Sequence, residues 1–388
     1  MSNLTIRPAL LDDWDTICTL IAQGLAQGDV RRYEQILHER RVVLPQKPDF
    51  TLDNVRVGLL RGQLVAVGRI EDCTLYYRHT SLRAARILDI VTHSEVRQRG
   101  YASAIMRELL TMLAEQGRHV ALLRDLQTFH TRHGFNPVWP SYSFQFDGRG
   151  LRGPQLRMMR PATLHDLPAL ADLYHHHWQR RIAVQRSPQW WVWRWQHRER
   201  PFVITTVRDE IEGYVWPSEI ESGSPEVVVD TYEAAATLLH SAAHESPHGL
   251  ITWAVPPDDA LIAYAELIVP MTVSAAYEPH SGWMARLVNA AVLVQTALPE
   301  IVRMAQFANP TFEAAQVVLD VQPDVVKVGL RGRADLQMAI AHQDFLRVMF
   351  GSLRPSMLAV RMALMPEQVH LLEMLFPPRM GAFAPGDW

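Results

Sequence analysis

Apolar residues along this chain repeat with two periods. Trp14, Ile17, Leu20, Ile21 and Leu25 recur every three or four positions and predict a helix with one buried face. Leu167, Leu170, Leu173 and Tyr174 do the same much later. Apolar runs broken by tight turns predict hairpins: Val55–Leu60 and Leu64–Asp72 around Arg61-Gly62, then Phe202–Val207 and Ile211–Trp216 around Arg208-Asp209-Glu210. Each predicted helix follows the same phrase. Short strands (Leu4–Arg7, Leu156–Arg160) run into Arg7-Pro8-Ala9 with Asp13, and into Arg160-Pro161-Ala162 with Asp166, in one register. An aspartate in a first helical turn suits the positive end of the helix dipole. The echo predicts an internal repeat.

The pattern changes twice. Gly148-Arg149-Gly150-Leu151-Arg152-Gly153-Pro154 is a glycine- and proline-rich link. After Gly282, Trp283–Gln306 predicts a helix, Ala315–Val321 and Val325–Leu330 strands, and Gln343–Phe350 and Pro366–Leu375 helices. Three units follow: 1–150, 151–282 and 283–388. Their sizes suit a chain of 388 residues at roughly 150 residues per domain.

Composition narrows the classes. With 48% hydrophobic residues the chain can bury real cores, which excludes a disordered class. A formal charge of −3 gives no general attraction to nucleic acid or an anionic membrane. Cys18 and Cys73 make no disulfide framework and read as reduced core residues of a cytoplasmic protein. Met1–Thr5 lacks the basic and apolar regions of a signal peptide. Met284–Leu298 carries Arg286, Asn289 and Gln295 and falls short of the ~18 apolar residues of a membrane span.

The densest chemistry lies between residues 86 and 110. Arg86–Val91 predicts a strand, Arg97-Gln98-Arg99-Gly100-Tyr101-Ala102 a tight loop, and Ser103–Leu110 a helix. A glycine-bearing loop opening a helix leaves backbone N–H groups unpaired and aimed one way, a seat for a diphosphate. Gly100 and Ala102 let the backbone come close, and Arg97 and Arg99 can add charged hydrogen bonds. Taken alone, the six residues fit a solvated basic turn equally well.

The stretch Val91–Ser103 resembles motif A of the GNAT acetyltransferases, Q/R-x-x-G-x-G/A. His119–Arg124 resembles the following strand, and Phe129-His130-Thr131-Arg132-His133-Gly134-Phe135 the F-Y-x-x-x-G-F segment. The resemblance covers residues 3–145. It implies a mixed α/β (α+β) domain with acetyl-CoA as co-substrate and no metal. Backbone atoms of Ile90, Val91 and Thr92 would bond the pantetheine arm. Gln98, Arg99, Gly100, Tyr101, Ala102 and Ser103 would hold the diphosphate, with Asp125 and Leu126 beside the acyl end. An amine would attack the thioester directly.

The three-part layout is similar to that of the Eis-like acetyltransferases (enhanced intracellular survival protein). This implies tandem GNAT folds followed by a sterol-carrier-like domain, the last resembled by Val325–Leu330, Ala334–Ile340 and Gln343–Gly351. In the second copy Glu226–Asp230 leads into Thr231–Ala236 without glycine or paired arginines, so one acetyl-CoA site per chain is expected.

Aminolysis of a thioester needs an acid and a base. The resemblance places the acid at His130, where the family has tyrosine, and the base at the α-carboxylate of Trp388. Tyr142 or a water could replace the former. Glu71, Asp72 and Asp89 could replace the latter through a water but read as surface residues. His175-His176-His177 cannot converge on one metal ion, because adjacent helical side chains diverge by about 100°. The run Trp190–Trp195 reads as core packing, with Trp191 or Trp193 at a subunit contact, or as a cation–π seat for the acceptor. The expected acceptor is an amine of a small molecule or a lysine. Homo-oligomerisation stays open. A non-catalytic acyl-CoA sensor or scaffold, and a lipid-binding module at 283–388, are the competing readings.

Overall fold

The computed structural model describes residues 4–124, 128–151, 153–218, 223–246, 249–276 and 282–377. Asp125, Leu126 and Trp388, all given roles above, lie outside the described residues.

The architecture is mixed α/β, with one sheet design used twice. The first unit holds β1 (Leu4–Pro8), α1 (Trp14–Ala26), α2 (Val30–His38), β2 (Val55–Leu60), β3 (Gln63–Tyr77), β4 (Thr80–Thr92), α3 (Tyr101–Glu115), β5 (Val120–Arg124), α4 (Thr128–Thr131) and β6 (Asn136–Trp139). β7 (Ser141–Asp147) leads to the second unit: β8 (Met158–Pro161), α5 (Leu167–Trp178), β9 (Val184–Gln185), α6 (Pro188–His197), β10 (Phe202–Thr205), β11 (Ile211–Trp216), β12 (Glu226–Val229), α7 (Tyr232–Glu245), β13 (Leu250–Trp253), α8 (Ala260–Ala265) and β14 (Met271–Ala276). β15 (Trp283–Leu287) and α9 (Ala290–Ala308) lead to a meander, β16 (Val317–Val321), β17 (Val325–Leu330) and β18 (Arg333–Ala341), and to α10 (His342–Met349), α11 (Pro355–Met362) and α12 (Pro366–Leu375).

The repeated phrase has one structural meaning. Arg7 makes a two-bond clasp on Asp13 (2.6 and 2.9 Å), and Arg160 does so on Asp166 (2.8 and 3.1 Å). The same carboxylates accept the N–H of Leu10 and of Thr163, each at 2.7 Å. In both units the clasp ties the first strand to the start of the first helix. In the first sheet β1, β2, β3 and β4 run in that order; in the second, β8, β10, β11 and β12 do.

The units also exchange strands. β7, from the first half of the chain, lies between β13 and β14 of the second unit. β15 returns to lie between β5 and β6 of the first. Burial explains why each strand stays there. Phe144 and Phe146 of β7 are fully buried in the second core, and Trp283, Met284 and Ala285 of β15 are buried in the first. Burying each large side chain contributes about 1.5–3 kcal/mol. The seams at 150 and 282 are therefore crossed by the strands beside them.

One expectation is corrected. Trp283–Leu287 is a strand rather than part of a helix, because its residues are buried on both faces of the first sheet. The helix starts later, where Asn289 caps it by accepting the Val292 N–H at 3.2 Å. No helix among the described residues is long and apolar enough to cross a membrane. α9 instead joins the C-terminal meander to the first sheet, packing Leu293, Ala297 and Ile301 with Leu75, Tyr77 and Leu82 of β3 and β4.

Candidate active site

β4 ends at Thr92 and the chain turns through Ser94–Val96 into α3. Gln98 and Gly100 take left-handed conformations, with φ of 62° and 83°. Gly100 precedes α3, and no side chain caps that helix. The first N–H satisfied from inside the helix is that of Ala104, which donates to the Gly100 carbonyl at 3.0 Å. The amides of Tyr101, Ala102 and Ser103 lie ahead of it with no carbonyl one turn back. A Cβ added to Gly100 would meet nothing within 4 Å, so the space over this turn is open. Arg97, Gln98 and Arg99 are exposed around it, and Arg97 donates to the Thr92 carbonyl at 3.3 Å. Ser103 Oγ lies 3.2 Å from His133 Nε2. Burial, then Arg107 and Arg286, hold that imidazole below its ordinary pKa.

Tyr101 departs from expectation. Its ring belongs to the core beneath α3, so only its backbone faces the turn. Its hydroxyl and Thr92 Oγ1 are buried without a hydrogen-bond partner among the described residues.

The neighbouring strands part beside this turn. β4 and β5 run parallel, but their register holds only from Ala84↔Val120 to Arg86↔Leu122. β4 continues to Thr92, and among the described residues no strand pairs with Ile87–Thr92 on that side. The β3–β4 register slips between Val67 and Arg69, and Asp89 takes a left-handed φ of 53°. This is a bulge, which adds twist and turns β4 away from its neighbour. Ile90, Val91 and Thr92 all lie on the unpaired edge. From the apex at Arg86 to the wide end at Thr92 the slot runs roughly 20 Å, at about 3.3 Å per residue.

Glu71 and Asp89 are not surface residues. Their side chains are 8% and 4% exposed. Glu71 accepts from Lys47 Nζ at 2.7 Å, from Arg69 at 3.3 Å and from Arg86. Asp89 accepts from Arg69 Nε at 2.5 Å and from Arg40 at 3.1 Å. The network lies on the sheet face that α1 covers at one end (Val67, Val91) and α9 at the other (Leu75, Tyr77). Burial pushes the Glu71 carboxyl up, but Arg86, Lys47 and Arg69 outweigh it and hold it well below the usual carboxylate range. Burial likewise raises Asp89, and Arg40 and Arg69 bring it below its ordinary value. A base that deprotonates an amine needs a pKa near the working pH. These two carboxylates are fixed charges instead. Asp72, partly buried, pairs with Arg118 at 2.6 Å.

His130 sits half-buried on α4, between the rings of Phe129 (5.2 Å) and Phe135 (6.4 Å). Its carbonyl accepts the N–H of His133 at 2.9 Å, which closes the turn between α4 and β6. Tyr142 lies on β7, paired with Ala275 of β14 and packed on the second unit's core.

The other conspicuous runs resolve as structure. The three histidines diverge: His175 Nδ1 to the Tyr76 hydroxyl (3.0 Å), His176 to the Asp172 carbonyl (2.9 Å), His177 to Asp259 (2.7 Å). Trp190 and Trp191 pack around Arg186, which with Arg194 binds the fully buried Glu226 at 2.7 Å each. Trp193 faces Lys47 of the first unit, so it makes a contact within the chain. Where α3 begins on an open glycine turn, α7 begins on Thr231, whose Oγ1 accepts the Ala234 N–H at 3.2 Å and donates to Glu212.

The sequence reading missed Arg40 and Lys47. The signal was indirect: Arg69, Glu71, Arg86 and Asp89 are charged residues inside otherwise apolar strands, and buried charges demand partners.

Residues 5–135 match the family model described as an acetyltransferase (GNAT) domain, so the chain carries such a domain at its N-terminal end. Three solved structures resemble nearly the whole chain. A GCN5-related N-acetyltransferase from Kribbella flavida is 16% identical, with 98% of each chain covered and a TM-score of 0.69. One from Anabaena variabilis is 14% identical over 98% of this chain and 99% of its own, with a TM-score of 0.68. Eis1 from Mycobacterium abscessus is 17% identical over 98% and 99%, with a TM-score of 0.62. At these identities the likeness is one of fold. No curated protein matches the sequence.

Proposed function

We propose that this chain is an acetyl-CoA-dependent N-acetyltransferase that passes the acetyl group directly to a primary amine of a small molecule or a lysine. One observation carries the reading. The β4–β5 pairing stops at Arg86, and the slot this opens ends at an uncapped helix N-terminus.

The residues fit the co-substrate. The amides of Tyr101, Ala102 and Ser103, with Arg97, Gln98 and Arg99 around Gly100, suit a diphosphate. The free edge of Ile90, Val91 and Thr92 suits a pantetheine arm with two amide groups, and the partnerless Thr92 Oγ1 adds a polar contact there. The acyl end then falls toward the apex; Asp125 and Leu126, which the resemblance sets beside it, lie outside the described residues. The amine nitrogen attacks the thioester carbon, the C–S bond breaks, and two protons move. His130, as imidazolium, gives one to the leaving thiolate; the carboxylate of Trp388 takes one from the amine. In this reading 1–150, 151–282 and 283–388 are a catalytic GNAT domain, a degenerate copy and a sterol-carrier-like domain of an Eis-like cytoplasmic enzyme.

Calorimetric titration with acetyl-CoA, then thiol release across an amine panel, tests it. Binding by wild type and its loss in Gly100→Glu are expected. Binding without thiol release for any amine would turn the enzyme into an acyl-CoA sensor.

A cleft in the C-terminal unit supports a second reading, lipid binding at 283–388. It is about 610 Å³, lined by Leu330, Leu336, Leu371 and Met374 on one hand and by Arg333, Glu367 and His370 on the other, and falls in the usual size range of small-molecule sites. Absence of lipid after gentle solvent extraction of the purified protein would remove this reading.

A further inference from the structure

The segment Glu39–Lys47, a π-turn at Glu39–Val43 followed by a 3-10 turn at Leu44–Gln46, belongs to no sheet and touches both units. On one side Arg40 donates to Asp89 at 3.1 Å and Lys47 to Glu71 at 2.7 Å. On the other, Glu39 is held by Arg198 through two bonds of 2.8 and 3.0 Å, and Gln46 Oε1 lies 2.9 Å from His197 Nε2. The Lys47 ammonium also stands 5.5 Å from the centre of the Trp193 ring, and the Arg198 guanidinium 5.2 Å from the same ring. Trp193, His197 and Arg198 belong to the end of α6 and the residue after it. Two adjacent pairs, Glu39 with Arg40 and Gln46 with Lys47, thus divide their bonds between the second unit and the first. A π-turn that extends a helix, as this one extends α2, often marks a functional place.

The inner partners are not arbitrary. Asp89 is the left-handed residue of the bulge that parts β4 from β5. A non-glycine residue keeps such a backbone only where its surroundings hold it. Glu71 binds Arg86, the last residue of β4 in register with β5. The strap therefore grips the two carboxylates that fix the apex of the slot.

We infer that the second unit, whose own helix α7 is closed by Thr231, serves as a brace for the first. Through the strap 39–47, Trp193, His197 and Arg198 act as positioning residues that set the slot where the acyl group sits. The brace presupposes the acyl-transfer reading. It adds that acyl recognition at one end of the sheet depends on a helix of the other unit.

Calorimetry with CoA and with acetyl-CoA on the full chain isolates this effect. Both ligands share the diphosphate grip, so the ratio of their Kd values reports the acyl group alone. Arg198→Ala is expected to change that ratio by about threefold or more while Kd for CoA stays within about twofold. Arg198→Lys, and the exchange Glu39→Arg with Arg198→Glu, are expected to restore it. Arg157→Ala is the control. It removes a comparably exposed ion pair with Glu212 inside the second unit, away from the strap. It should lower thermal stability and leave the ratio alone. A wild-type ratio of one, a ratio unchanged in Arg198→Ala, or an equal change in Arg157→Ala would each overturn the brace while the enzyme still binds CoA. Failure of wild type to bind either ligand would instead bring down the acyl-transfer reading, and the brace with it.

Discussion

Replacing Gly100 by alanine separates a conformational cost from a binding cost. Gly100 holds φ at 83°, and a Cβ built there meets nothing within 4 Å. The folded protein therefore loses only the backbone strain of an L-residue in the left-handed region, about 1–2 kcal/mol. For a cooperative unit of this size that lowers Tm by roughly 2–4 °C per kcal/mol. Gly62, in the turn between β2 and β3, is a matched control, with φ of 82° and the same open surroundings. Gly62→Ala should cost the same stability. Only at Gly100 does the new methyl group enter the space above the amides of Tyr101, Ala102 and Ser103. Holding a diphosphate off one of those donors forfeits a charged hydrogen bond of about 1.5–3 kcal/mol, which is about ten- to hundredfold in Kd. Calorimetry with acetyl-CoA measures the second effect and thermal unfolding the first. If Gly100→Ala bound acetyl-CoA as tightly as Gly62→Ala does, the α3 N-terminus would not be the diphosphate seat.

Three further outcomes are expected. Residues 1–150 expressed alone should neither fold cooperatively nor bind acetyl-CoA, because β15 is missing from between β5 and β6; a sharp thermal transition in that fragment would contradict the strand exchange. Glu226→Gln should destabilise the second unit by about 3–5 kcal/mol, since it removes the buried carboxylate that Arg186 and Arg194 both bind, and denaturant unfolding measures it. The Arg160 clasp, chiefly through its hydrogen bond, holds Asp166 down at about 2, against about 3.9 in the unfolded chain. The folded pKa is the lower one, so the clasp's stabilisation is complete above about 3.9 and is lost as pH falls toward 2. Arg160→Ala should flatten the acid limb of the stability profile in that window, and an unchanged limb would count against the clasp.

The chain's pattern alone determined the repeated unit, because the signals were local. Arg7 with Asp13, and Arg160 with Asp166, lie within a few residues of each other. The period of the apolar positions gave α1 and α5, and the order strand, glycine turn, helix around Gly100 gave the open turn before α3. What escaped the sequence was everything set by distant partners. Trp283–Leu287 has the apolar content of a helix start, and only its burial on both faces between β5 and β6 makes it a strand. Glu71 and Asp89 looked like solvent-facing carboxylates until Arg40, Lys47, Arg69 and Arg86 closed around them. Trp193 read as core packing or a subunit contact until its neighbour proved to be a lysine of the other unit of the same chain. Periodicity records which side of an element is buried. It cannot record against what, since hydrophobic burial has no direction and a buried ion pair joins residues the chain holds far apart; only the tertiary fold chooses the partner.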